Sequence, residues 1–122
     1  MLLNHFFTIG DKQVSGNELT VTLTINKDHR IFEGHFPGQP VVPGVCMMQM
    51  ILELMEQVTG KRLKLLTAYD MKFLAVINPQ VNNNVNTTLK YTEDEGGTFS
   101  ATATIFSNET VHFKFKGQFG FL

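Results

Sequence analysis

One stretch of the sequence has the periodicity of a long α-helix, and it lies between segments with the periodicity of strands. An apolar stripe recurs every three or four residues along it, at Met47, Met50, Ile51, Leu54, Met55 and Val58. Pro43 stands where a first-turn proline is tolerated, and Gly60 provides an end. Residues 45–48 make the first two turns apolar nearly all round, which predicts a deeply buried helix start. The far side of this helix carries Gln49, Glu53 and Glu56.

The segments around the helix alternate apolar and polar residues, as half-buried strands do. Before the helix, residues 19–25 alternate clearly, and a weaker strand runs from Phe6 to Ile9, ahead of a turn signal at Gly10-Asp11. After the helix come four further segments, at residues 63–77, 85–91, 99–105 and 113–121. Strands joined by tight turns favour an antiparallel sheet, so the pattern predicts an α+β domain with one helix against that sheet.

Length and composition narrow the possible functions. The chain of 122 residues fits one domain, 1–122, and 43% hydrophobic residues with 17% charged ones indicate a folded protein. A net charge of -1 gives no electrostatic basis for binding nucleic acid. No apolar run approaches the ~20 residues that cross a bilayer, so no membrane partner is expected. The N-terminus lacks the pattern of a signal peptide and Cys46 cannot form an internal disulfide, which favours the cytoplasm.

The segment before the helix, residues 35–44, reads His-Phe-Pro-Gly-Gln-Pro-Val-Val-Pro-Gly. Three prolines predict a rigid loop, so the histidine that opens it has a fixed position. The loop ends in Gly44 at a helix N-terminus, where backbone N–H groups lack intrahelical partners. A thioester carbonyl bound there would be polarised, and His35 could remove a proton alpha to that carbonyl.

The segment GHFPGQPVVPGVCMMQMILE resembles the HFPGxPxxPG motif of the hot-dog 3-hydroxyacyl-acyl-carrier-protein dehydratases of fatty-acid synthesis. The resemblance extends more loosely over the whole chain, including Met71-Lys72-Phe73 and the Asn78-Pro79 turn. It implies a hot-dog fold, in which a curved antiparallel sheet wraps around one central helix. It also implies a dimer whose active site combines a histidine from one subunit with an acidic residue from the helix of the other.

Carried over by position, the resemblance makes His35 the catalytic base of a hydro-lyase that removes water from 3-hydroxyacyl thioesters. Gly44 matches the glycine whose N–H holds the thioester carbonyl, and Val41 the residue whose carbonyl orients the histidine ring. The start of the helix, with Val45, would line the tunnel for the acyl chain. The expected substrate is a thioester of acyl carrier protein or coenzyme A, with acyl carrier protein as a partner. The expected assembly is a homodimer or an oligomer of dimers, without cofactor or metal.

The chain departs from this family at the position of the acid. The family's Glu or Asp stands fourteen residues after the histidine, where this sequence has Gln49. An amide has no proton to give near neutral pH, although it can hydrogen-bond a hydroxyl or hold a water. Glu53, one turn further along the helix, is a possible substitute acid. Two alternatives stay open: a hot-dog acyl thioesterase that uses Glu53, and a non-catalytic acyl-binding protein or heterodimer partner.

The remaining reactive side chains have simpler interpretations. Cys46 could be a nucleophile with a lowered pKa at the helix start, but a small apolar core residue is the favoured reading. Three histidines, His5, His29 and His112, form no metal-ligand spacing and are predicted to be surface or strand residues. Lys114 and Lys116 alternate with phenylalanines, which fits a solvated strand face or a surface that docks an acidic carrier protein.

Overall fold

The computed structural model describes residues 1–122 and contains six strands and two helices. In chain order these are β1 (Phe7–Ser15), β2 (Glu18–Ile25), α1 (Ile31–Gly34), α2 (Gly44–Thr59), β3 (Leu63–Phe73), β4 (Asn84–Glu93), β5 (Phe99–Ser107) and β6 (Thr110–Phe121). The strands form one antiparallel sheet in the order β1-β2-β4-β5-β6-β3. The predicted α+β architecture is therefore confirmed.

The alternation read from the sequence decides which face of the sheet is buried. Along β2 the residues Leu19, Val21, Leu23 and Ile25 are all within 1% of complete burial, while the residues between them are not. Strand β4 pairs with β2 so that Leu23 lies opposite Val85 and Leu19 opposite Leu89. Because apolar residues meet apolar residues across the strands, the register is the one that places the apolar set on the core face.

Helix α2 is buried over more than half of its circumference. Its buried residues are Cys46, Met47, Met50, Ile51, Glu53, Leu54 and Met55, and at 3.6 residues per turn they span an arc of about 200°. Pro43 occupies the N-cap position in an extended conformation, and no side chain caps this end. At the other end Gly60 is left-handed, with φ 70°, and its N–H bonds the carbonyl of Glu56.

Four details differ from the prediction. No turn interrupts the chain at Gly10-Asp11, because β1 continues through both residues and absorbs an irregularity in register between Ile9 and Lys12. The strand predicted over 63–77 ends at Phe73. The helix start is not buried all round, since Val45 is 75% exposed. Glu53 is completely buried although it lies on the helix side predicted to be polar.

Strand β3 forms one edge of the sheet, and its only neighbour is β6. Most of its side chains are exposed, including several large apolar ones, Leu65, Leu66, Tyr69, Met71 and Phe73. An edge strand with unpaired backbone groups and exposed apolar side chains is a ready template for another chain.

No helix is long and apolar enough to cross a membrane.

Candidate active site

The loop between the two helices holds the imidazole of His35 in one orientation. The Val41 N–H donates to the carbonyl of His35 over 2.9 Å, and His35 Nδ1 lies 3.1 Å from the carbonyl oxygen of Val41. A carbonyl can only accept, so Nδ1 carries the proton and donates it. In the neutral ring Nε2 then keeps a free lone pair, which is the form that a general base requires.

His35 stands at the rim of an apolar pocket of about 380 Å³. The residues that line this pocket, here called the acyl pocket, are His35, Val41, Val42, Gly44, Met47, Phe73, Leu74, Ala75 and Val76. They come from the proline-rich loop, the first turn of α2, the end of β3 and the segment that follows β3. The loop and helix start were predicted to line a site, whereas the wall at residues 74–76 was not, because the sequence was interpreted as continuous strand there.

Gly44 brings a free backbone donor to this pocket. It is the first residue of α2, and its N–H has no hydrogen-bond partner in the structure, whereas those of Cys46 and Met47 bond the carbonyl of Pro43. A Cβ at position 44 would lie 2.7 Å from the ring of Phe73, so a larger residue there would have to displace that ring. The free N–H at a helix N-terminus is suited to an oxygen that gains negative charge.

Val45, the other residue of the helix start that was predicted to line the acyl tunnel, is placed differently from Gly44. Val45 is largely exposed and does not line the acyl pocket, while Val41 does. Met47 belongs to the methionine-rich helix face, which was expected to form core and also to touch the acyl chain, and it lines the pocket as well as the core. Because residues 45 and 47 differ by about 200° around the helix, the chain turns one toward the pocket and the other to solvent.

Gln49, at the position of the family acid, is bound to Glu53. Its amide Nε2 donates to Glu53 Oε2 over 2.8 Å. The same carboxylate accepts the backbone N–H groups of Leu2 and Leu3 over 2.8–3.0 Å, so both of its oxygens are occupied. These bonds satisfy a charge that would otherwise be costly to bury. They also hold the Gln49 amide in one orientation, with its carbonyl oxygen left as an acceptor.

The structure does not bring His35 and Gln49 together within one chain. Gln49 is absent from the lining of the acyl pocket, and it lies about 200° around the helix from Met47, which lines it. The face that carries Gln49 and Glu53 meets the N-terminal segment instead. A site that uses both residues therefore needs a second copy of the helix.

Cys46 is a core residue. Its side chain is 5% exposed, and burial raises the pKa of its thiol above the ordinary value. A raised pKa disfavours the thiolate, which is the nucleophilic form. The core interpretation is therefore the one that the structure supports, and the reactive one is wrong.

Three comparisons with known proteins identify the family and the fold of this chain. A family model described as ApeI-like, ApeI dehydratase, matches residues 11–116. The chain belongs to the ApeI-like dehydratase family.

Curated relatives of this ApeI-like chain carry the name 3-hydroxyacyl-[acyl-carrier-protein] dehydratase FabZ. The protein of Oenococcus oeni is 28% identical over 99 residues, which cover 75% of this chain and 71% of the relative. That of Latilactobacillus sakei is 29% identical over 106 residues, which cover 81% and 68%. The shared class is that of the dehydratases, which are lyases of fatty-acid biosynthesis, so the family predicted from the loop motif is confirmed.

Solved structures confirm the fold. The dehydratase heterocomplex ApeI:P from Xenorhabdus doucetiae contains a chain that matches with a TM-score of 0.67 at 18% identity, over 92% of this chain and 96% of that one. The conserved protein PA5202 from Pseudomonas aeruginosa matches with a TM-score of 0.65 at 12% identity, over 92% and 87%. At such identities the likeness concerns the backbone alone, and it confirms the hot-dog fold.

Proposed function

We propose that this ApeI-like protein dehydrates 3-hydroxyacyl thioesters with His35 as the catalytic base. The observation that carries the proposal is the geometry of one ring: Nδ1 bonded to the carbonyl of Val41, and the ring at the rim of an apolar pocket that also contains the Gly44 helix start. A base, an oxyanion donor and an apolar cavity are the three elements that abstraction of a proton next to a thioester carbonyl requires.

The first step uses groups of one chain. The thioester carbonyl oxygen accepts the free N–H of Gly44, and the acyl chain occupies the pocket beside Met47 and Val76. Nε2 of His35 takes the proton from C2, and the electron pair of the broken C–H bond becomes the second bond between C2 and C3. The hydroxyl leaves C3 with the electrons of the C–O bond. It becomes water when it receives one proton.

The second step depends on Gln49 of a second copy. Its amide is fixed by Glu53, so its carbonyl oxygen can accept a hydrogen bond from the 3-hydroxyl or from a water beside it. The proton for the leaving hydroxyl then comes from imidazolium His35 or from water rather than from Gln49. Since a positioned acid contributes about 10²–10⁴-fold to a rate, we expect turnover slower than that of a carboxylate-bearing site.

Glu53 does not serve as the substitute acid in this proposal. Its carboxylate is completely buried, and its oxygens already accept from Leu2, Leu3 and Gln49. The same contacts remove the support for a thioesterase, because that activity needs a carboxylate that can reach and activate a water. Glu53 is better described as the residue that positions Gln49.

The assembly we propose is a homodimer formed through β3. This edge strand has free backbone groups along one side, and the apolar side chains of Tyr69, Met71 and Phe73 are exposed on it. Phe73 also lines the acyl pocket, so a second chain at this edge lies against the site. Sedimentation of the protein and of Tyr69→Asp tests the assembly. We expect a dimer for the first and a shift toward monomer for the second.

The decisive experiment measures hydration of a trans-2-enoyl thioester, followed by loss of the enoyl absorbance, for the unmodified protein, Gln49→Glu and His35→Ala. Forms of the substrate on acyl carrier protein and on coenzyme A are compared, since the FabZ relatives are named for the carrier protein. We expect activity in the unmodified protein that rises in Gln49→Glu and falls by about 10²–10⁴-fold in His35→Ala. Release of free thiol without hydration would instead indicate a thioesterase.

A second candidate function is that of one subunit in a heterocomplex. Two observations favour it: the amide at position 49, and the structural match to a chain of a dehydratase complex that is named a heterocomplex. An acid-bearing partner would complete the pocket of His35. Silence of the pure protein, together with activity after it is mixed with an acid-bearing relative, would support this candidate over the homodimer.

A further inference from the structure

The wall of the acyl pocket at residues 74–76 is held by a histidine outside the site described above. His112 lies in β6 and is 7% exposed. Its Nδ1 is 3.1 Å from the carbonyl oxygen of Ala75, and its own carbonyl accepts the N–H groups of Leu74 and Ala75 over 2.9 and 3.4 Å. His112 thus makes three hydrogen bonds to Leu74 and Ala75: one from its ring to a carbonyl, and two from their N–H groups to its own backbone carbonyl.

The partners of the ring determine its tautomer. The carbonyl of Ala75 can only accept, so Nδ1 carries the proton. The hydroxyl of Ser107 lies 2.6 Å from Nε2 and donates to the lone pair there. Both nitrogens of the neutral imidazole are thus satisfied, as a buried polar ring requires. Ser107 fixes the ring, and the ring fixes Ala75.

The segment that this ring holds has little packing of its own. Leu74 and Val76 are 54% and 69% exposed, and regular pairing between β3 and β6 ends at Phe73 opposite Phe113. At its far end the segment is tied to the loop of His35, because the Val42 N–H donates to the carbonyl of Ile77 over 2.9 Å. Where the chain leaves β3 and begins to line the pocket, hydrogen bonds to His112 therefore take the place of the regular strand pairing.

We propose that His112, held by Ser107, is a positioning residue that sets the wall of the acyl pocket and thereby the preference for acyl chain length. It touches no reacting atom. Its effect passes through Leu74, Ala75 and Val76, which line the pocket together with His35. This assignment of an effect on turnover rests on the proposed dehydratase function, whereas the positioning itself does not.

Two isosteric variants separate positioning from mere burial of a polar ring. His112→Asn can place its amide nitrogen near the position of Nδ1 and keep the bond to Ala75, while His112→Gln places its amide near Nε2 and loses that bond. We expect kcat/KM for a trans-2-decenoyl thioester to fall about tenfold in His112→Gln, mainly through KM. We expect His112→Asn to restore most of the loss, and the trans-2-butenoyl thioester to be nearly unaffected in both variants. Equal losses for both substrates, or no rescue by asparagine, would overturn the proposal.

A measurement without substrate distinguishes failure of this proposal from failure of the proposed function. The nitrogen shifts of the His112 ring should show a proton on Nδ1, and the amides of Leu74 and Ala75 should exchange slowly with solvent. The backbone carbonyl of residue 112 stays as their acceptor in His112→Gln, but losing the ring's bond to the Ala75 carbonyl should loosen the segment, so their exchange should accelerate at least about tenfold with the amides of β5 unchanged. If the protein hydrates no enoyl thioester but these results hold, the positioning stands and the dehydratase proposal fails. A proton on Nε2, or unchanged amide exchange in His112→Gln, would contradict the proposal that His112 positions the pocket wall. Ser107→Ala supplies the same exchange test where the histidine variants do not fold.

Discussion

The two sides of helix α2 differ in what they leave unsatisfied. On one side the helix start faces the acyl pocket, with the Gly44 N–H unpaired and the Nε2 lone pair of His35 free. On the other side Gln49 and Glu53 are bonded to each other and to the N-terminal segment. Chemistry needs unsatisfied groups and stability needs satisfied ones, so our proposal assigns the reaction to the pocket side and support of the structure to the Gln49 side.

This difference explains how a site can contain a glutamine in place of an acid. A carboxyl group at position 49 would stand beside the buried carboxylate of Glu53, and two adjacent carboxylates cannot both ionise without cost. The amide avoids this conflict and donates a hydrogen bond in place of adding a charge. Gln49 and Glu53 are therefore best regarded as one unit, and substitutions of either should be interpreted as changes to the pair.

The largest effect is expected on the pocket side. His35→Ala should lower the rate of enoyl-thioester hydration by about 10²–10⁴-fold, because it removes the only base at the rim of the pocket. The thermal midpoint should change little, since the ring bonds only Val41. His5→Ala, at an exposed histidine, is the matched control and should be fully active. Full activity in His35→Ala would show that the base lies elsewhere.

Exchanging the two residues of the opposite side should raise activity. The double variant Gln49→Glu with Glu53→Gln keeps the net charge, and an amide at position 53 can still accept the N–H groups of Leu2 and Leu3. It places an acid at position 49 without a second carboxylate beside it. We expect hydration to rise by up to about 10²-fold over the unmodified protein.

The single variant Gln49→Glu is the comparison for this exchange. Its introduced carboxyl lies next to the buried carboxyl group of Glu53, so two like charges are brought together without a compensating cation. It should also gain activity but lose stability in urea denaturation relative to the double variant. If the double variant is no more active than the unmodified protein, an acid at position 49 does not reach the pocket of the second copy.

A third prediction concerns stability alone. Glu53→Ala leaves the N–H groups of Leu2 and Leu3 and the amide of Gln49 without their acceptor. These three groups are half-buried, so water can replace part of the bonding they lose, and a loss of roughly 2–4 kcal/mol in the free energy of unfolding is expected. Glu33→Ala, at an exposed glutamate, should change it by less than about 0.5 kcal/mol. Equal effects would mean that the buried carboxylate supports nothing.

The smallest effect is expected at Cys46. Burial raises the pKa of this thiol, so the folded protein holds little thiolate at pH 8, and alkylation should be slow until denaturant is added. Because its pKa is raised, the Cys46 thiol keeps its proton to higher pH in the folded protein than in the unfolded chain. Its contribution to the free energy of unfolding is therefore fully present below the ordinary thiol pKa and is lost as the pH rises above that value. Rapid alkylation of the native protein would show that the helix start is open.

The fold and half of the site could be predicted from local patterns. Period-two alternation identified β2, β4, β5 and β6, and the apolar stripe identified α2, because these signals come from neighbouring residues. The loop from His35 to Gly44 was recognised by its prolines and glycines. The contact between Nδ1 and the Val41 carbonyl, which the family resemblance implied, is present.

The missed features depend on residues distant in sequence. Glu53 was placed on a polar helix face because nothing near it shows that the N-terminal segment, about fifty residues away, covers it. Val45 was counted as buried because it is apolar, although its angle around the helix points it to solvent. The bond of His112 to Ala75 joins positions 37 residues apart, and a lone histidine on a strand carries no sign of it.

The position of β3 at the sheet edge has a consequence for how the chain is made. Leu63 pairs with Phe121 and Phe73 with Phe113, so β3 has no strand partner until the last strand has left the ribosome. During synthesis the apolar residues of β3 therefore stay without a strand partner while about fifty further residues are added. Exposed segments of this kind are prone to aggregate, and long-range pairing is slow to form. A chain that ends before β6 therefore loses more than one strand: it leaves the wall beside His35 without its support.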